Sequence, residues 1–548
     1  MSKILKVSKL DGKLSMAHFI VAFVSVGLAG LFGLIQTLVR SELITLPSFI
    51  NYYQLLTAHG VLMALIFTTF FIFGFLHAGM SRTTGELTRG NRRLAWIGFW
   101  LMTIGTVLAA LMIVVGEATV LYTFYAPLQA SPLFYIGLAL LIVGTYFSGM
   151  STIFQYNKWR KDHPGETSPL FAYMAVATVV LWFVATVGVV ITVLFQFIPW
   201  SFGWVETINV SLSRTLFWYF GHPLVYFWLL PAYMVWYIML PKILGTKIFS
   251  DSMARLAFIL FILLSFPVGF HHQLLEPGIN EGWKFIQVIL TFAVIVPSLM
   301  TAFALFATFE MRGRALGSKG IFGWFKKLPW KDVRFVAPFI GMLAFIPGGA
   351  GGIINASNQM NQVIHNTIWV TGHFHLTVGT TVALTFIGVS YLIVPHIRGR
   401  VLTKRANSLG IYQSVLWAVG MLIMSGAMHF SGLLGNPRRT QVTSYGGHEV
   451  ASGWGAYEVA MAVGGTILLI SIILYIGLII YLAFFAPKGV EEFPIGELAE
   501  QSLKLPAIME NWKVWIGIAI GLILFAYSIP IIDMIQNAPP GSPGFKFW

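Results

Sequence analysis

Thr371-Gly372-His373-Phe374-His375-Leu376 lies just inside a long apolar segment that runs from about His365 to Pro395. Each helical residue turns about 100°, so side chains two apart leave the axis about 200° from one another. His373 and His375 therefore cannot chelate one ion, but they can serve two different centres, one on each side of the helix. A lone buried histidine is usually a packing residue. A pair at hydrocarbon depth is harder to set aside, because uncompensated polar groups are costly there. The question becomes whether other histidines share that depth.

Among 548 residues, 57% are hydrophobic and only 10% charged. That composition describes a polytopic all-α membrane protein, with residues 1–548 forming one membrane-embedded domain rather than several soluble cores. The absence of cysteine excludes disulfides, iron–sulfur clusters and thiolate sites, so any metal must be held by His, Met or oxygen. The net charge of +14 invites a nucleic-acid partner, but its placement argues for none. Lys and Arg gather in alternate loops, the positive-inside pattern of a chain surrounded by lipid. Lys3, Lys6, Lys9 and Lys13 precede an apolar run from Leu14 to Val39 that is too long for a signal-peptide core. It reads as a retained first span with its N-terminus inside.

Apolar stretches long enough to cross a bilayer fall near 14–39, 53–79, 94–116, 132–156, 170–198, 215–241, 256–275, 285–309, 335–357, 366–395, 408–434, 458–487 and 514–533. The second, fourth, sixth, eighth and tenth loops carry the basic residues. Thirteen spans then place the C-terminus outside. On this topology His59, His222, His271, His272, His373 and His375 all fall in the outer third, roughly 6–12 Å of helix rise from the outer ends. His18, His77 and His396 sit at inner ends as interfacial residues, His163 and His448 lie in loops, and His429 is read as packing. No Asp, Glu, Lys or Arg occupies the centre of a span, unlike ion and proton transporters.

Neutral imidazoles ligate copper, iron and zinc. His222 and Tyr226 are four apart and share a helix face, and His271-His272 adds two ligands from a neighbouring segment. Three imidazoles make a copper-type site with an open position. His59 and one member of the 373/375 pair suffice to hold an iron from both sides; the other member is left to hold a second iron from one side.

Gly221-His222-Pro223-Leu224-Val225-Tyr226, Phe270-His271-His272-Gln273, Thr371-Gly372-His373-Phe374-His375 and Asn436-Pro437-Arg438-Arg439 together resemble subunit I of the haem–copper oxygen reductases, specifically the B-type branch of terminal oxidases. The similarity runs over nearly the whole chain. The resemblance implies that His59 and His375 are axial ligands of a low-spin haem of b type, and that His373 is the proximal ligand of a high-spin haem of a or o type. His222, His271 and His272 would bind copper B, with Tyr226 cross-linked to His222. Arg438 and Arg439 would pair with haem propionates; planar guanidinium forks suit carboxylates, and these two lie on the outer side against the charge rule.

Some positions depart from related patterns. Leu224 stands where the A-type branch has a glutamate, so the A-type carboxylate route is expected to be missing. Tyr233, Tyr237, Ser250, Ser298 and Thr301 match the single hydroxyl-lined proton path of the B type, although Ala304 replaces one hydroxyl of it. Asn361 replaces an aspartate of a B-type relative. Hydroxyls in apolar helices otherwise pack between helices.

The implied activity is that of the catalytic subunit of a cytochrome c oxidase, reducing O2 to water with coupled proton pumping. Implied partners are a subunit II carrying a di-copper centre, since this chain has no cysteine to bridge two coppers, a small third subunit, and cytochrome c as donor. The implied location is a prokaryotic cytoplasmic membrane. Two rivals remain in view. A nitric oxide reductase shares the fold but binds its non-haem iron with carboxylates and lacks the tyrosine, against Leu224 and Tyr226. A transporter with structural histidines would show no haem bands.

Overall fold

Thirteen helical stretches stand where thirteen spans were predicted, and one of them is broken short. The computed structural model describes residues 6–496 and 505–538; Lys3, counted in the basic N-terminus, lies outside them. In chain order the helices are α1 Lys9–Arg40, α2 Tyr52–Thr84, α3 Arg89–Val114, α4 Pro132–Asp162, α5 Leu170–Ser201, α6 Val210–Leu244 and α7 Asp251–Ser265. They continue as α8 Glu281–Ala315, α9 Val333–Ala356, α10 Ile368–Arg398, α11 Lys404–Leu433, α12 Glu449–Phe485 and α13 Trp512–Gln536. All but α7 are long and apolar enough to cross a membrane.

The starts are written locally. Ser8, Asn51, Thr88, Asn209, Ser250, Asn280, Asp332, Thr367 and Thr403 each cap a helix by accepting a backbone N–H with the side chain. Asn51 and Gln54 close a full capping box at α2. Gly245 and Gly399 end α6 and α10 in the left-handed conformation that only glycine adopts freely.

The predicted span 256–275 is corrected by the structure. Its helix covers only 15 residues, Asp251–Ser265. Pro267 lacks the N–H that a continuing helix needs and disfavours helical backbone before it, so the chain unwinds. It resumes as a single 3-10 turn, Phe270–His272. The depth reading also changes at one residue. α6 starts at Val210, ahead of the predicted 215, so His222 lies 12 residues into its helix, about 18 Å of rise. His59, His373 and His375 stay within two turns of their helix starts.

His18 and His77 are not interfacial. Both are fully buried, with ring centroids 5.4 Å apart and Phe70 and Phe99 around His18. The reason is position in the bundle: His77 stands on α2, which is central and packed on nearly every face, and His18 on α1 points inward against α2 and α3, so both meet protein. Lipid-facing helices such as α8 and α13 are buried along one side only.

Close helix contact uses small residues. On α3 and α4, Gly98 and Gly144 meet so tightly that a Cβ on either would lie 2.6 Å from other backbone atoms. Buried charges stay at the helix ends and are paired: Asp11–Arg92 at 2.9 Å, Arg40–Glu458 at 2.7 Å, and Arg255 with Asp251 at 2.8 Å and Glu510 at 3.1 Å.

Candidate functional site

His59 and His375 face each other from α2 and α10. Their rings are 9° from parallel with centroids 6.1 Å apart. Two imidazoles sharing one metal at about 2 Å per bond have a similar separation. His59 Nδ1 lies 2.8 Å from the Ala29 carbonyl, and His375 Nδ1 lies 2.9 Å from the Thr371 carbonyl. A carbonyl only accepts, so each Nδ1 carries the proton and each Nε2 keeps its lone pair for a metal. Both residues adjoin π-helical turns, Val61–Phe67 and His375–Val382. Such single-turn bulges recur at functional sites, and nothing in the sequence announced them. Gly33 on α1 leaves room for the His59 ring, which a Cβ there would meet at 2.9 Å.

His373 leaves the other side of α10. Thr377 donates its hydroxyl proton to the His373 carbonyl at 2.8 Å, so its oxygen is free to accept from His373 Nδ1 at 3.3 Å. Gly348 and Gly351 on α9 clear the space: a Cβ at Gly351 would lie 2.6 Å from His373 Nδ1. His373 thus has its Nε2 lone pair free and faces Gly351 of α9, whereas His375 faces His59 of α2.

The third group is His222, His271 and His272, whose ligand nitrogens lie within 4.8 Å of one another. His222 Nδ1 and His271 Nε2 are 3.1 Å apart. Two nitrogens on a tetrahedral ion at about 2.0 Å stand about 3.3 Å apart, so the spacing fits a shared metal. Nε2 of His222 and of His272 are buried with no hydrogen-bond partner. Thr291 on α8 donates to the Gln287 carbonyl at 2.7 Å, which leaves its oxygen to accept from His271 Nδ1 at 3.0 Å. That bond fixes the tautomer presenting the Nε2 lone pair toward His222. Gln287 accepts from Gly269 N and Phe270 N, both at 2.9 Å, and donates to the Ala526 carbonyl of α13 at 3.1 Å. Lys284, one turn earlier, donates to the Leu274 and Glu276 carbonyls at 2.9 and 3.0 Å. One face of α8 therefore holds the unwound segment in place, while His272 stacks on Trp218 at 3.9 Å.

A single cavity of ≈ 290 Å³ runs between these groups, lined among others by His59, His272, His373, His375, Arg438 and Arg439. At its outer edge Arg438 donates to Asn366 at 3.0 Å and Arg439 to the Tyr125 hydroxyl at 3.2 Å. Arg438 Nε and Arg439 Nη2 are buried without a partner. Burial, and then the adjacent Arg439 charge, bring the Arg438 guanidinium down to about 10. Paired guanidinium groups turned into a cavity with donors unspent call for carboxylates. Arg40, also on the cavity wall, is different: Glu458, Asn436 and Thr440 take up its donors, which locks the arginine loop to α1 and α12. The Asn436 carbonyl accepts from Ile368 N at 2.8 Å, tying the same loop to the start of α10.

On the other side of the metal-binding group lie the hydroxyl residues. The Tyr226 ring is 4.9 Å from that of His222, at 57°. Tyr233 and Tyr237 follow on α6, with Ser298 on α8 beside the first and Thr301 beside the second, but neither phenol hydroxyl makes a hydrogen bond of good geometry within the protein. Ser250 caps α7, accepting from Met253 N at 3.1 Å, and touches Ser252 Oγ at 3.2 Å. Ala304 is fully buried on α8 and Leu224 nearly so on α6. Asn361 donates to the Asn355 carbonyl at 2.7 Å and its oxygen faces His365 Nδ1 at 3.0 Å. Burial, then Arg438 and Arg214, lower the His365 imidazole to about 4. His429 packs edge-on against Trp369 and bonds the Ser425 carbonyl, a packing role as expected.

Sequence reading found every histidine of the three groups. It missed the residues that hold them: Thr291, Gln287, Lys284, Arg40 and Glu458. The first three recur at helical spacing on one face of α8, a polar stripe in an otherwise lipid-facing helix, and that stripe was the available signal.

Residues 13–467 match the family described as cytochrome c and quinol oxidase polypeptide I. The chain is 40% identical to a cytochrome c oxidase subunit 1 of Thermus thermophilus, over 98% of this chain and 97% of that protein. It is 26% identical to cytochrome c oxidase subunit 1 of Bacillus subtilis over 71% of this chain and 61% of that protein. A solved haem-copper terminal oxidase superposes with a TM-score of 0.92 and 36% identity, covering 99% of this chain and 96% of the other. On that match over most of its length and that identity, the chain belongs to the cytochrome c and quinol oxidase polypeptide I family.

Proposed function

We propose that this chain is the catalytic subunit of a respiratory terminal oxidase, reducing O2 to water with electrons from cytochrome c and moving further protons outward. The observation that carries the reading is the sharing of one cavity by the near-parallel His59/His375 pair and His373, with the three-histidine group beside it. His59 and His375 would hold a low-spin haem of b type, His373 a high-spin haem of a or o type, and His222, His271 and His272 copper B. When bound, these groups supply the electron transfer and the oxygen chemistry.

The chain's own residues bind, orient and deliver protons. Nδ1 of each haem-side histidine donates to a fixed acceptor, so no reorganisation is needed to present Nε2. Arg438 and Arg439 would pair with the carboxylates of those haems through their unspent donors. Tyr226, whose ring lies 4.9 Å from that of His222, would supply a phenol proton and an electron to that oxygen chemistry, and the resemblance to the family implies a cross-link to His222. Protons reach it from the inner side along Ser250, Tyr237, Thr301, Ser298 and Tyr233. The unspent hydroxyls of Tyr233 and Tyr237 support this route, because buried hydroxyls without protein partners are satisfied by ordered water. Leu224 offers no carboxylate alternative.

Electrons enter through a subunit II with a di-copper centre, alongside a small third subunit, in a prokaryotic cytoplasmic membrane with the N-terminus inside and the C-terminus outside. The assembled membrane complex should give reduced-minus-oxidised bands of two haems, one copper in this subunit, and O2 uptake driven by reduced cytochrome c. A purified, folded protein without haem bands would overturn the reading.

A further inference from the structure

The segment between α8 and α9, residues 316–332, takes no part in the histidine-lined cavity. It does not extend away from the bundle. A short 3-10 turn, Gly323–Lys327, lies against the last turn of α8, so that a Cβ at Gly313 would stand 2.6 Å from the Trp324 Cα. The Trp324 ring reaches back to Phe306 of α8 at 6.4 Å. Phe325 packs on Trp330 at 4.5 Å and on Phe339 of α9 at 6.0 Å, and Trp330 Nε1 donates to the Phe325 carbonyl at 2.8 Å. The connection is thus folded beside the helix ends, level with Arg312 and Arg314 in the last turn of α8. Tryptophans and arginines at one level mark the boundary between lipid and water.

The tip of this connection is Ile321-Phe322, set between Gly320 and Gly323, and each of the two apolar residues is 77% exposed. Around the tip stand cations without counter-charge. Arg314 is held by Glu310, and Arg334 by Asp332 and Glu491. Among the described residues no carboxylate pairs with Arg312, Lys319, Lys326, Lys327 or Lys331. Water penalises the apolar tip, and charges of one sign this close repel one another. An acidic partner in solution would answer the charge but not the tip. A lipid with an anionic headgroup answers both, and α8 is buried along one side only, which leaves lipid beside the loop.

We propose that this loop is a binding site for anionic phospholipid in the leaflet it faces. Ile321 and Phe322 dip among the acyl chains, while Lys319, Lys326 and Lys327 hold headgroup phosphates. Lysine suits the task, since its long stem lies along apolar surface while the ammonium group reaches the phosphate. The site goes beyond the oxidase reading and stands on the geometry and charge of the loop; only its assignment to the inner leaflet rests on the orientation proposed above.

The test uses the full, haem-loaded complex in phosphatidylcholine vesicles carrying spin-labelled phosphatidylglycerol, and reads the share of label immobilised at the protein. Lys319→Gln, Lys326→Gln and Lys327→Gln together should lower the excess over spin-labelled phosphatidylcholine at least about threefold, with haem spectra unchanged. High salt should act the same way on the wild type. Lys158→Gln with Lys161→Gln, which takes charge from another basic loop, should leave the excess unchanged. Phe322→Cys, in a chain with no other cysteine, allows a nitroxide to be placed at the tip. That nitroxide should collide with O2 far more than with a water-soluble nickel chelate. Wild-type lipid preference in the triple variant, or an equal loss in the Lys158/Lys161 variant, would overturn the site. So would a nitroxide open to the nickel chelate, the mark of a solvated loop, or one shielded from both reagents, the mark of a second copy or another protein covering it. Absence of O2 reduction by the same vesicles would instead sink the oxidase reading and leave the lipid result standing.

Discussion

The His59/His375 pair and the His222/His271/His272 group are built on different principles. The pair stands on two continuous central helices, and each imidazole is braced by a backbone carbonyl, at Ala29 and at Thr371. The three-histidine group takes two members from an unwound stretch after Ser265, braced by side chains of α8: Thr291 for the ring of His271 and Gln287 for the backbone that carries it. A carbonyl brace survives almost any substitution at its own residue. A side-chain brace is lost with one. The pair should therefore tolerate side-chain changes at the residues whose carbonyls brace it, whereas the triad should be sensitive at its supports.

The largest effect expected is on the ligands of α10. His375→Ala should remove the low-spin haem and leave the high-spin haem, and His373→Ala should do the reverse, read from haem content and reduced-minus-oxidised spectra. The cause is the separation of the two rings, one toward His59 and one toward Thr377 and α9. Loss of both haems from either correctly inserted variant would break the assignment of one centre per side.

Next in size is the support of the triad. Thr291→Val keeps the shape but removes the acceptor of His271 Nδ1, and copper affinity should fall about 10- to 100-fold. Thr291→Ser should restore it, and both haems should remain. Equal copper content in Thr291→Val and wild type at limiting copper would remove the contrast between the two sites.

The smallest effect concerns the hydroxyl route. Tyr237→Phe keeps the ring and removes a hydroxyl without a protein partner, so stability should change by less than about 1 kcal/mol. Turnover should drop about tenfold, with electron entry to the low-spin haem unaffected in single-turnover kinetics. Unchanged turnover and proton uptake would make these hydroxyls packing groups.

The same contrast explains what could be read in the sequence. Hydrophobic runs and caps place twelve long helices, and the 200° relation of His373 to His375 needs only helical geometry. What escaped was everything non-helical or set by tertiary contact. Pro267 stops α7 inside an apolar run that hydropathy alone counts as a span. The start of α6 at Val210 depends on the Asn209 cap, whose amide also donates to the Met534 carbonyl of α13. His18 and His77 looked interfacial because periodicity cannot tell a central helix from a peripheral one. Thr291 and Gln287 carry no motif; their meaning lies in which backbone they reach.

One contact on α8 bears on how the protein is made. The amide of Gln287 bridges the Gly269–Phe270 backbone to the Ala526 carbonyl, and Tyr527 packs on Phe270 at 5.4 Å. Peptide groups outside a helix tolerate the bilayer interior only when protein shields them from lipid. The shield for this stretch is α13, which the ribosome delivers long after α7. Until it docks, the turn bearing His271 and His272 is open on its lipid side, so membrane insertion of α13 marks the moment at which the three-histidine pocket closes.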